Sequence, residues 1–401
     1  MLRKIRIAAA AFFFVLTTLL FLDFTGTLHA WFGWMAKIQF LPALLALNVG
    51  VVAFLVILTL LFGRVYCSVI CPLGVMQDIV SWASGKRRKH RNRFAYSPAL
   101  TWLRRGMLVV FVAAMLAGVG SLLAPYSAYG RIASNLLAPV YAWCNNLLAY
   151  IAGRMDSYAF YSVDVWMKSL STLLVAVVTF AVLFVLAWRS GRTYCNTICP
   201  VGTVLGFLAR YSLFKPRFDT SKCNGCKLCA RNCKASCIDP AAHKIDYSRC
   251  VACMDCLENC RQGAITYTLR RRKPDPAPAP QRPAADAAKT PSDASRRRFL
   301  GLAGIVAYSA LRAQEKKVDG GLAVIVDKKI PNRATPVVPP GAQSLRHFNA
   351  HCTGCQLCVS VCPNQVLRPS GKLMTLMQPE MSFERGYCRP ECTKCAEVCP
   401  T

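Results

Sequence analysis

Four runs of closely spaced cysteines constrain this chain more than any other feature. They contain sixteen of its 22 cysteines. Cys223–Cys233, Cys250–Cys260 and Cys352–Cys362 share the spacing C-x2-C-x2-C-x3-C, whereas Cys388–Cys399 has its first gap widened to three residues. Three cysteines at two-residue spacing bind one cubane 4Fe–4S cluster, and the fourth cysteine of each run binds the neighbouring cluster. The sequence therefore predicts four 4Fe–4S clusters on two ferredoxin modules.

The crossing of the fourth cysteines predicts a ligand set for each cluster. The sets are Cys223, Cys226, Cys229 and Cys260 for the first cluster, Cys250, Cys253, Cys256 and Cys233 for the second, Cys352, Cys355, Cys358 and Cys399 for the third, and Cys388, Cys392, Cys395 and Cys362 for the fourth. Pro363 and Pro400 follow their runs as in many ferredoxins, but Lys234 and Arg261 stand at the equivalent positions of the first module.

Zinc and disulfides are the competing interpretations of these cysteines. Zinc ribbons use paired C-x2-C knuckles and lack the trailing C-x3-C. A cytoplasmic position disfavours disulfides in the first module. Cys144 and Cys237 lie outside the four sets, and we expect both to be ordinary packed thiols.

Apolar runs indicate a membrane protein, since 54% of the residues are hydrophobic and 17% are charged. The net charge of +30 comes from basic residues that flank these runs, which favours the positive-inside bias of membrane proteins over nucleic-acid binding. The bias places the N-terminus in the cytoplasm. Four runs are long enough to span a bilayer: Ile5–Leu22, Phe40–Phe62, Met107–Leu123 and Leu170–Trp188.

An internal repeat relates the second and fourth predicted spans. Gly63–Gly74 recurs as Gly191–Gly202, and each copy contains a C-x3-C-P motif. The repeat predicts two related hairpins. Cys67, Cys71, Cys195 and Cys199 could form a four-thiolate site for a further cluster or metal, or two redox-active dithiols. The structural alternative is a tight turn in which Pro72 and Pro200 each open a helix.

The predicted fold class is an α-helical membrane bundle of four spans in two repeated hairpins, with two α+β bacterial-type two-cluster ferredoxin modules. Ser295–Leu300 and the apolar run after it are typical of a twin-arginine export signal, with a short anchor helix as the alternative. The sequence stops before the closing strand of a ferredoxin fold, so we expect a truncated end. The predicted domains are the membrane domain (1–215), the first module (219–267), a Pro/Ala-rich linker (268–294), the signal or anchor (295–313) and the second module (324–401).

Residues 1–267 resemble NapH-type membrane ferredoxins, which are relatives of the C-terminal part of NosR. The resemblance rests on the four spans, the two C-x3-C-P motifs and the cytoplasmic two-cluster module. The chain from Ser295 onward resembles the start of NapG, an exported ferredoxin that partners NapH. The resemblance implies a multi-pass protein in the lipid of the bacterial inner membrane, with its first module cytoplasmic and its second periplasmic.

The resemblance also implies a function, either a quinol dehydrogenase subunit or an electron carrier. Electrons would pass from quinol, which becomes quinone, toward a periplasmic reductase or cytochrome c. Asp23, His29, Asp156 and Asp164 are candidate proton acceptors by position alone. The alternative function is a cluster-based redox sensor or an assembly factor for a respiratory complex, although no output domain is recognisable.

Overall fold

The computed structural model describes residues 1–23, 26–86, 94–116, 122–157, 159–165, 168–269, 335–372, 375–384 and 386–401. The predicted signal or anchor, nearly all of the linker and residues 324–334 lie outside these ranges. The predictions for these segments therefore stay predictions.

Residues 1–213 form a helical domain. Its helices within the described ranges are α1 (Leu2–Leu22), α2 (Thr27–Phe32), α3 (Trp34–Lys37), α4 (Phe40–Leu45), α5 (Val49–Phe62), α6 (Val65–Val69), α7 (Pro72–Gly85), α8 (Thr101–Leu116), α9 (Pro125–Ile132), α10 (Ala138–Arg154), α11 (Leu170–Ser190), α12 (Thr193–Thr197) and α13 (Pro200–Ala209).

Among the described helices, α1 and α11 are long and apolar enough to cross a membrane. Each has 21 residues, which corresponds to about 32 Å. The predicted span Phe40–Phe62 is not one continuous helix, because the chain breaks between α4 and α5, and whether it crosses a membrane stays a prediction. Leu47 adopts a left-handed conformation, and the Asn48 side chain accepts a hydrogen bond from Val51 N to cap α5. The predicted span Met107–Leu123 is described only as far as the end of α8.

The first module begins earlier than predicted. Strand β1 (Phe214–Phe218) pairs antiparallel with β4 (Ile265–Leu269), so Phe214 lies opposite Leu269. The sequence boundary at 219 missed β1 because Pro216 stands at its centre, and a proline within a short run argues against a strand. Between these strands lie α14 (Leu228–Arg231), β2 (Ile238–Asp239), β3 (Lys244–Ile245) and α15 (Asp255–Asn259).

The second module is described from residue 335 onward. Two of its strands pair antiparallel, with Leu367 opposite Met381. Its elements are α16 (Leu345–His351), α17 (Leu357–Val361), β5 (Leu367–Pro369), β6 (Pro379–Met381) and α18 (Lys394–Glu397).

The two modules contact opposite ends of α1 and α11. At the first turn of α1, Arg3 Nε donates to Asp255 Oδ1 of the first module at 2.8 Å, whereas α1 also packs against α17 of the second module. Just before α11, Lys168 Nζ donates to Val359 O of the second module at 3.0 Å. Just after α11, Arg192 N donates to Lys234 O of the first module at 2.9 Å. The length of these helices therefore separates the two docking sites.

Candidate iron–sulfur centres

The first module brings its two predicted ligand sets together around two hollows of about 20 Å³ each. The first hollow is lined by Cys223, Cys226, Cys229 and Cys260. The second hollow is lined by Cys233, Cys250, Cys253 and Cys256. Each hollow gathers the four cysteines of one predicted set, and Cys237 also lines the second; the binding of clusters by these sets stays a prediction.

A left-handed residue shapes three of the four cysteine runs. Lys227, Met254 and Gln356 have φ of 59°, 62° and 66°, and each immediately precedes the short helix that carries the third cysteine of its run. The left-handed residue reverses the local direction of the chain, so that the cysteines on either side of it face the same space. In the fourth run the corresponding residue before α18, Thr393, has φ of −107°, so the widened gap coincides with a different local conformation.

The second module places its third predicted set around one cavity, which Cys352, Cys355, Cys358 and Cys399 line together with Cys395. The fourth set is close enough for its thiols to influence one another. Burial raises the pKa of Cys395, and the charges of Cys362, Cys392 and Cys388 raise it further.

The environment shifts the pKa values of the predicted ligand thiols in both directions, since hydrogen bonding with Cys237 lowers the pKa of Cys233 to about 7 and also lowers that of Cys250. Burial raises the pKa of Cys229 to about 11 and that of Cys355 to about 11. A cluster binds thiolate, so loading these sites must release protons. A soft sulfur donor set of this kind fits iron–sulfur clusters.

The two C-x3-C-P motifs meet in the interior of the helical domain. Cys67, Cys71, Cys195 and Cys199 are each 5% exposed and belong to one packed core. We call these residues the four-cysteine centre. Pro72 and Pro200 each begin a helix, as the structural alternative predicted, and Cys71 and Cys199 are the extended residues that precede them. The motif thus opens a helix and at the same time buries its thiols.

Two buried arginines tie the repeats together in a reciprocal way. Arg64 Nη2 donates to Cys195 O at 3.1 Å, and Arg192 Nη1 donates to Cys67 O at 2.7 Å. Each guanidinium also lies 3.8 Å from a thiol sulfur, Arg64 from Cys67 and Arg192 from Cys195. Both arginines are fully buried. Their positive charges and N–H groups suit a negatively charged thiolate centre.

Two glycines permit this close approach. A Cβ at Gly74 would lie 2.3 Å from Cys67 O and 2.7 Å from Arg192 Nη1. A Cβ at Gly202 would lie 2.3 Å from Cys195 O and 2.8 Å from Arg64 Nη2. The C-x3-C-P-x-G repeat therefore requires its glycine for steric reasons.

The same arginines connect the four-cysteine centre to the second hollow of the first module. Arg64 Nη1 donates to Ser248 O at 3.2 Å, two residues before the predicted ligand Cys250. Arg192 N donates to the carbonyl of Lys234, which follows the predicted ligand Cys233. Arg192 also forms a two-pronged ion pair with Asp78, with distances of 2.9 Å and 2.7 Å.

Lys234 explains why the first module lacks its usual proline. Lys234 Nζ lies 3.0 Å from Asp255 Oδ2 in its own module and 3.6 Å from Asp78 Oδ1 in the helical domain. A proline could not form these ion pairs. The role of Lys234 could not be found from the cysteine spacing, because its partner Asp78 lies in the helical domain, far from Lys234 in sequence.

Aromatic packing fills the core between the four-cysteine centre and the second module. The Phe21 ring centroid lies 5.6 Å from that of Tyr126 and 6.2 Å from that of Tyr129. A Cβ at Gly130 would lie 2.4 Å from Cys355 O and 2.9 Å from the Phe21 ring. Cys355 belongs to the same core as all four cysteines of the centre. The packing between them is therefore continuous.

Within the described residues, no three His, Cys, Asp or Glu side chains converge as ligands of a single metal ion. This applies equally to the ferredoxin cysteines and to the four-cysteine centre.

Of the two surplus cysteines, only Cys237 is packed within the chain as expected. Cys144 is exposed, so it is not packed within the chain. Cys237 is buried, and its sulfur lies 3.5 Å from that of Cys233 at the second hollow. The sequence carried a signal for Cys237, namely a cysteine where ferredoxins have a small apolar residue.

The four candidate proton acceptors divide into two groups. Asp23 and His29 come together in a buried pair, with His29 Nδ1 3.2 Å from Asp23 Oδ2. Backbone N–H groups of Gly26 and Leu28 also donate to this carboxylate. Asp156 and Asp164 are exposed, and the structure does not bring them to the pair.

Two known families match parts of the chain. A 4Fe–4S binding domain family matches residues 44–90 and 172–221, which contain both C-x3-C-P motifs. A 4Fe–4S dicluster domain family matches residues 351–401, which contain both cysteine runs of the second module. No solved structure matches the chain.

Similar curated proteins include two named as ferredoxins. The ferredoxin-type protein NapH of Escherichia coli is 29% identical over 48% of this chain and 55% of its own length. The methylamine utilization ferredoxin-type protein MauN of Paracoccus denitrificans is 28% identical over 43% of this chain and 48% of its own length. An uncharacterized protein of Methanocaldococcus jannaschii is 25% identical over 53% of this chain and 68% of its own length.

The chain thus spans about half the length of NapH and MauN. The matches and the relatives together support a ferredoxin-type family for this chain, with 4Fe–4S clusters that transfer electrons.

Proposed function

We propose that the chain is a membrane-embedded electron-transfer protein that takes electrons from the quinol pool and delivers them to a periplasmic reductase. The observation that carries this proposal is the position of the four-cysteine centre. It lies in one packed core with Cys355 of the second module, and its two arginines contact the segments that hold Cys233 and Cys250 of the first module. A redox centre there would link the two modules.

The exposed apolar surface supports insertion in a bilayer. Only 22% of the apolar stretch of α1 and 22% of that of α11 is buried within the protein. A core helix of a soluble protein would be mostly buried, so these surfaces fit contact with lipid. We place the chain in the bacterial inner membrane, as the ferredoxin-type relatives and the basic flanks suggest.

The sixteen cysteines of the four sets would hold four cubanes, and the four-cysteine centre would hold a fifth. Clusters of this kind supply one-electron transfer at potentials set by their surroundings. The protein's own residues supply the rest. Arg64 and Arg192 balance negative charge, Gly74 and Gly202 allow close packing, and Lys234 with Asp78 fixes the first module against the centre.

The docking of the two modules at opposite ends of α1 and α11 supports a placement on opposite sides of the membrane. We propose that the first module is cytoplasmic and that the twin-arginine-like segment exports the second, as in the NapG resemblance. External protease on intact spheroplasts should then cut within residues 335–401 and spare residues 214–269. Replacing Arg296 and Arg297 with Lys should protect both modules. If external protease cuts neither module of the unaltered protein, both modules and all their clusters are cytoplasmic.

Iron content and quinol reactivity test the function itself. Anaerobically purified protein should hold about 20 iron atoms, and Cys67→Ser combined with Cys195→Ser should lower this to about 16. The matched control Cys144→Ser should leave the count unchanged. Quinol should bleach the cluster absorbance of the unaltered protein in membranes. A protein reduced only by soluble donors would contradict the quinol link.

A further inference from the structure

The cavity at the third predicted cluster is far larger than the other cluster hollows. It has a volume of about 400 Å³, whereas the two hollows of the first module have about 20 Å³ each. The run that supplies the first three cysteines of each set has the same spacing at all three sites. Such a run accounts for a volume of about 20 Å³, so the rest of the large cavity has another origin. The large cavity falls within the range typical of small-molecule sites.

The additional space lies between the second module and the helical domain. Its walls include Leu45, Ala46 and Leu47 at the break between α4 and α5, and His347 of α16. Leu44, Leu47 and Val49 beside it are 47%, 78% and 76% exposed, respectively. The cavity therefore opens next to an apolar surface that would lie against the outer leaflet.

One polar group in the cavity wall is buried without a hydrogen-bond partner. Gln356 is 2% exposed and lines the cavity. Its Oε1 accepts from Asn135 Nδ2 at 3.0 Å, but its Nε2 finds no acceptor in the described part of the chain. A buried amide donor without a partner is destabilising, and a ligand oxygen in the cavity would satisfy it.

From these features we infer a quinol-binding site, which rests on the proposed function and gives it a location. The hydroxylated ring would occupy the cavity beside the predicted ligands Cys355 and Cys399, with one oxygen accepting from Gln356 Nε2. The apolar tail would leave over Leu44, Leu47 and Val49. Oxidation of one quinol to quinone would release two electrons and two protons. Clusters held by the two predicted ligand sets of the second module would accept one electron each, and the protons would pass to bulk solvent.

The experiment uses an azido-substituted ubiquinone analogue as a photolabel on the full chain in lipid nanodiscs. Label should map to residues 335–351 or 44–49, and excess ubiquinone should remove it. Ala46→Trp should fill the cavity and weaken labelling by about tenfold or more. The matched control Ala53→Trp lies on the exposed side of α5 and should have no effect.

A second pair of variants tests the amide. Gln356→Leu should weaken labelling about fivefold, as expected for one lost hydrogen bond. Asn135→Ala removes the bonds to Gln356 Oε1 and to Arg131 O but leaves the Gln356 Nε2 donor in place, so it should change labelling much less. Equal losses in both variants would mean that Gln356 is structural, and that result would overturn its role as donor.

Other outcomes separate this inference from the proposed function. Label confined to Thr27–Phe32 would move the site to the Asp23–His29 pair, and label removed by phospholipid but not by ubiquinone would make the cavity a lipid site. Either result overturns the inference. If quinol bleaches the clusters equally in Ala46→Trp and in unaltered protein, the site is wrong and the function stands. If quinol bleaches neither, the function itself fails.

Discussion

The two ferredoxin modules are held to the same helical domain by different kinds of interaction. Buried and half-buried charges hold the first module, where Arg192, Lys234 and Asp78 form a connected network. Apolar packing holds the second module, since Leu357 and Val361 lie in the core of the helical domain. The side-chain hydrogen bonds Asn135–Gln356 and Lys168–Val359 add to this packing.

The difference has a physical consequence. A buried ion pair is sensitive to direction and costly to break, so the charged network holds the first module in one orientation. Apolar packing is non-directional, so the second module is fixed mainly by shape. At Gly130, the close contact with Cys355 O leaves no room for a side chain. The predictions below aim to break one mode of docking while sparing the other.

The largest effect is expected from Arg192→Met. It leaves Asp78 in the interior with only Arg6 at 3.0 Å and Lys234 at 3.6 Å, and loss of one partner of a buried pair costs about 3 kcal/mol or more. Thermal unfolding in detergent should show the loss, and the first module should become sensitive to protease. Arg189→Met, at an exposed position in the last turn of α11, should change stability by less than about 0.5 kcal/mol. Equal behaviour of the two variants would contradict the charged docking.

Gly130→Ala should loosen the second module and leave the first in place. The new Cβ would lie 2.4 Å from Cys355 O, and such overpacking costs about 1–3 kcal/mol. Limited proteolysis should release residues 335–401 more readily than in the unaltered protein. Gly153→Ala on α10 meets nothing within 4 Å, so it should be neutral or slightly stabilising. Release of the first module instead would refute the assignment.

Local patterns in the sequence predicted much of the site, whereas contacts between distant segments escaped it. Two-residue cysteine spacing predicts which thiols gather, because the left-handed residues Lys227, Met254 and Gln356 turn each run on itself. The prolines of the C-x3-C-P motifs likewise mark helix starts. The break at Leu47 was missed because its one polar signal, Asn48, which caps α5, stands alone in an otherwise apolar run. The role of Lys234 depends on Asp78, which only the fold brings near.

Acid should weaken the docking of the first module through Asp246. Burial would raise the pKa of this carboxyl, but hydrogen bonds from Ser248 and Arg249 outweigh burial and lower it. A lowered folded pKa gives stability above the unfolded value of about 3.9, and this stability is lost as pH falls through the folded value. Ser248 accepts a hydrogen bond from Arg104 of the helical domain, and Arg249 donates one to Ser97 O of the same domain. The loss of stability on protonation of Asp246 therefore weakens the contact between the first module and the helical domain.

Asp246→Asn should therefore cost about 1 kcal/mol at neutral pH, since the group is partly exposed. Its unfolding midpoint should vary less between pH 6 and pH 3 than that of the unaltered protein. Asp239→Asn provides the matched control, because Asp239 caps a turn within the first module and accepts only from the neighbouring backbone. An acid response that survives in Asp246→Asn would assign it to other carboxylates.

The smallest effect is expected at Cys237, which gives the second hollow a fifth thiol. Its sulfur lies 3.5 Å from Cys233, so its S–H can donate to a ligand sulfur. Such bonds stabilise the reduced, more negative cluster. Cys237→Ala should leave iron content unchanged and lower the potential of one cluster in the first module by roughly 40 mV, the equivalent of a hydrogen bond of about 1 kcal/mol. Redox titration followed by EPR measures this shift. Cys144→Ala should leave all potentials in place, and a loss of about four irons in Cys237→Ala would instead make Cys237 a ligand.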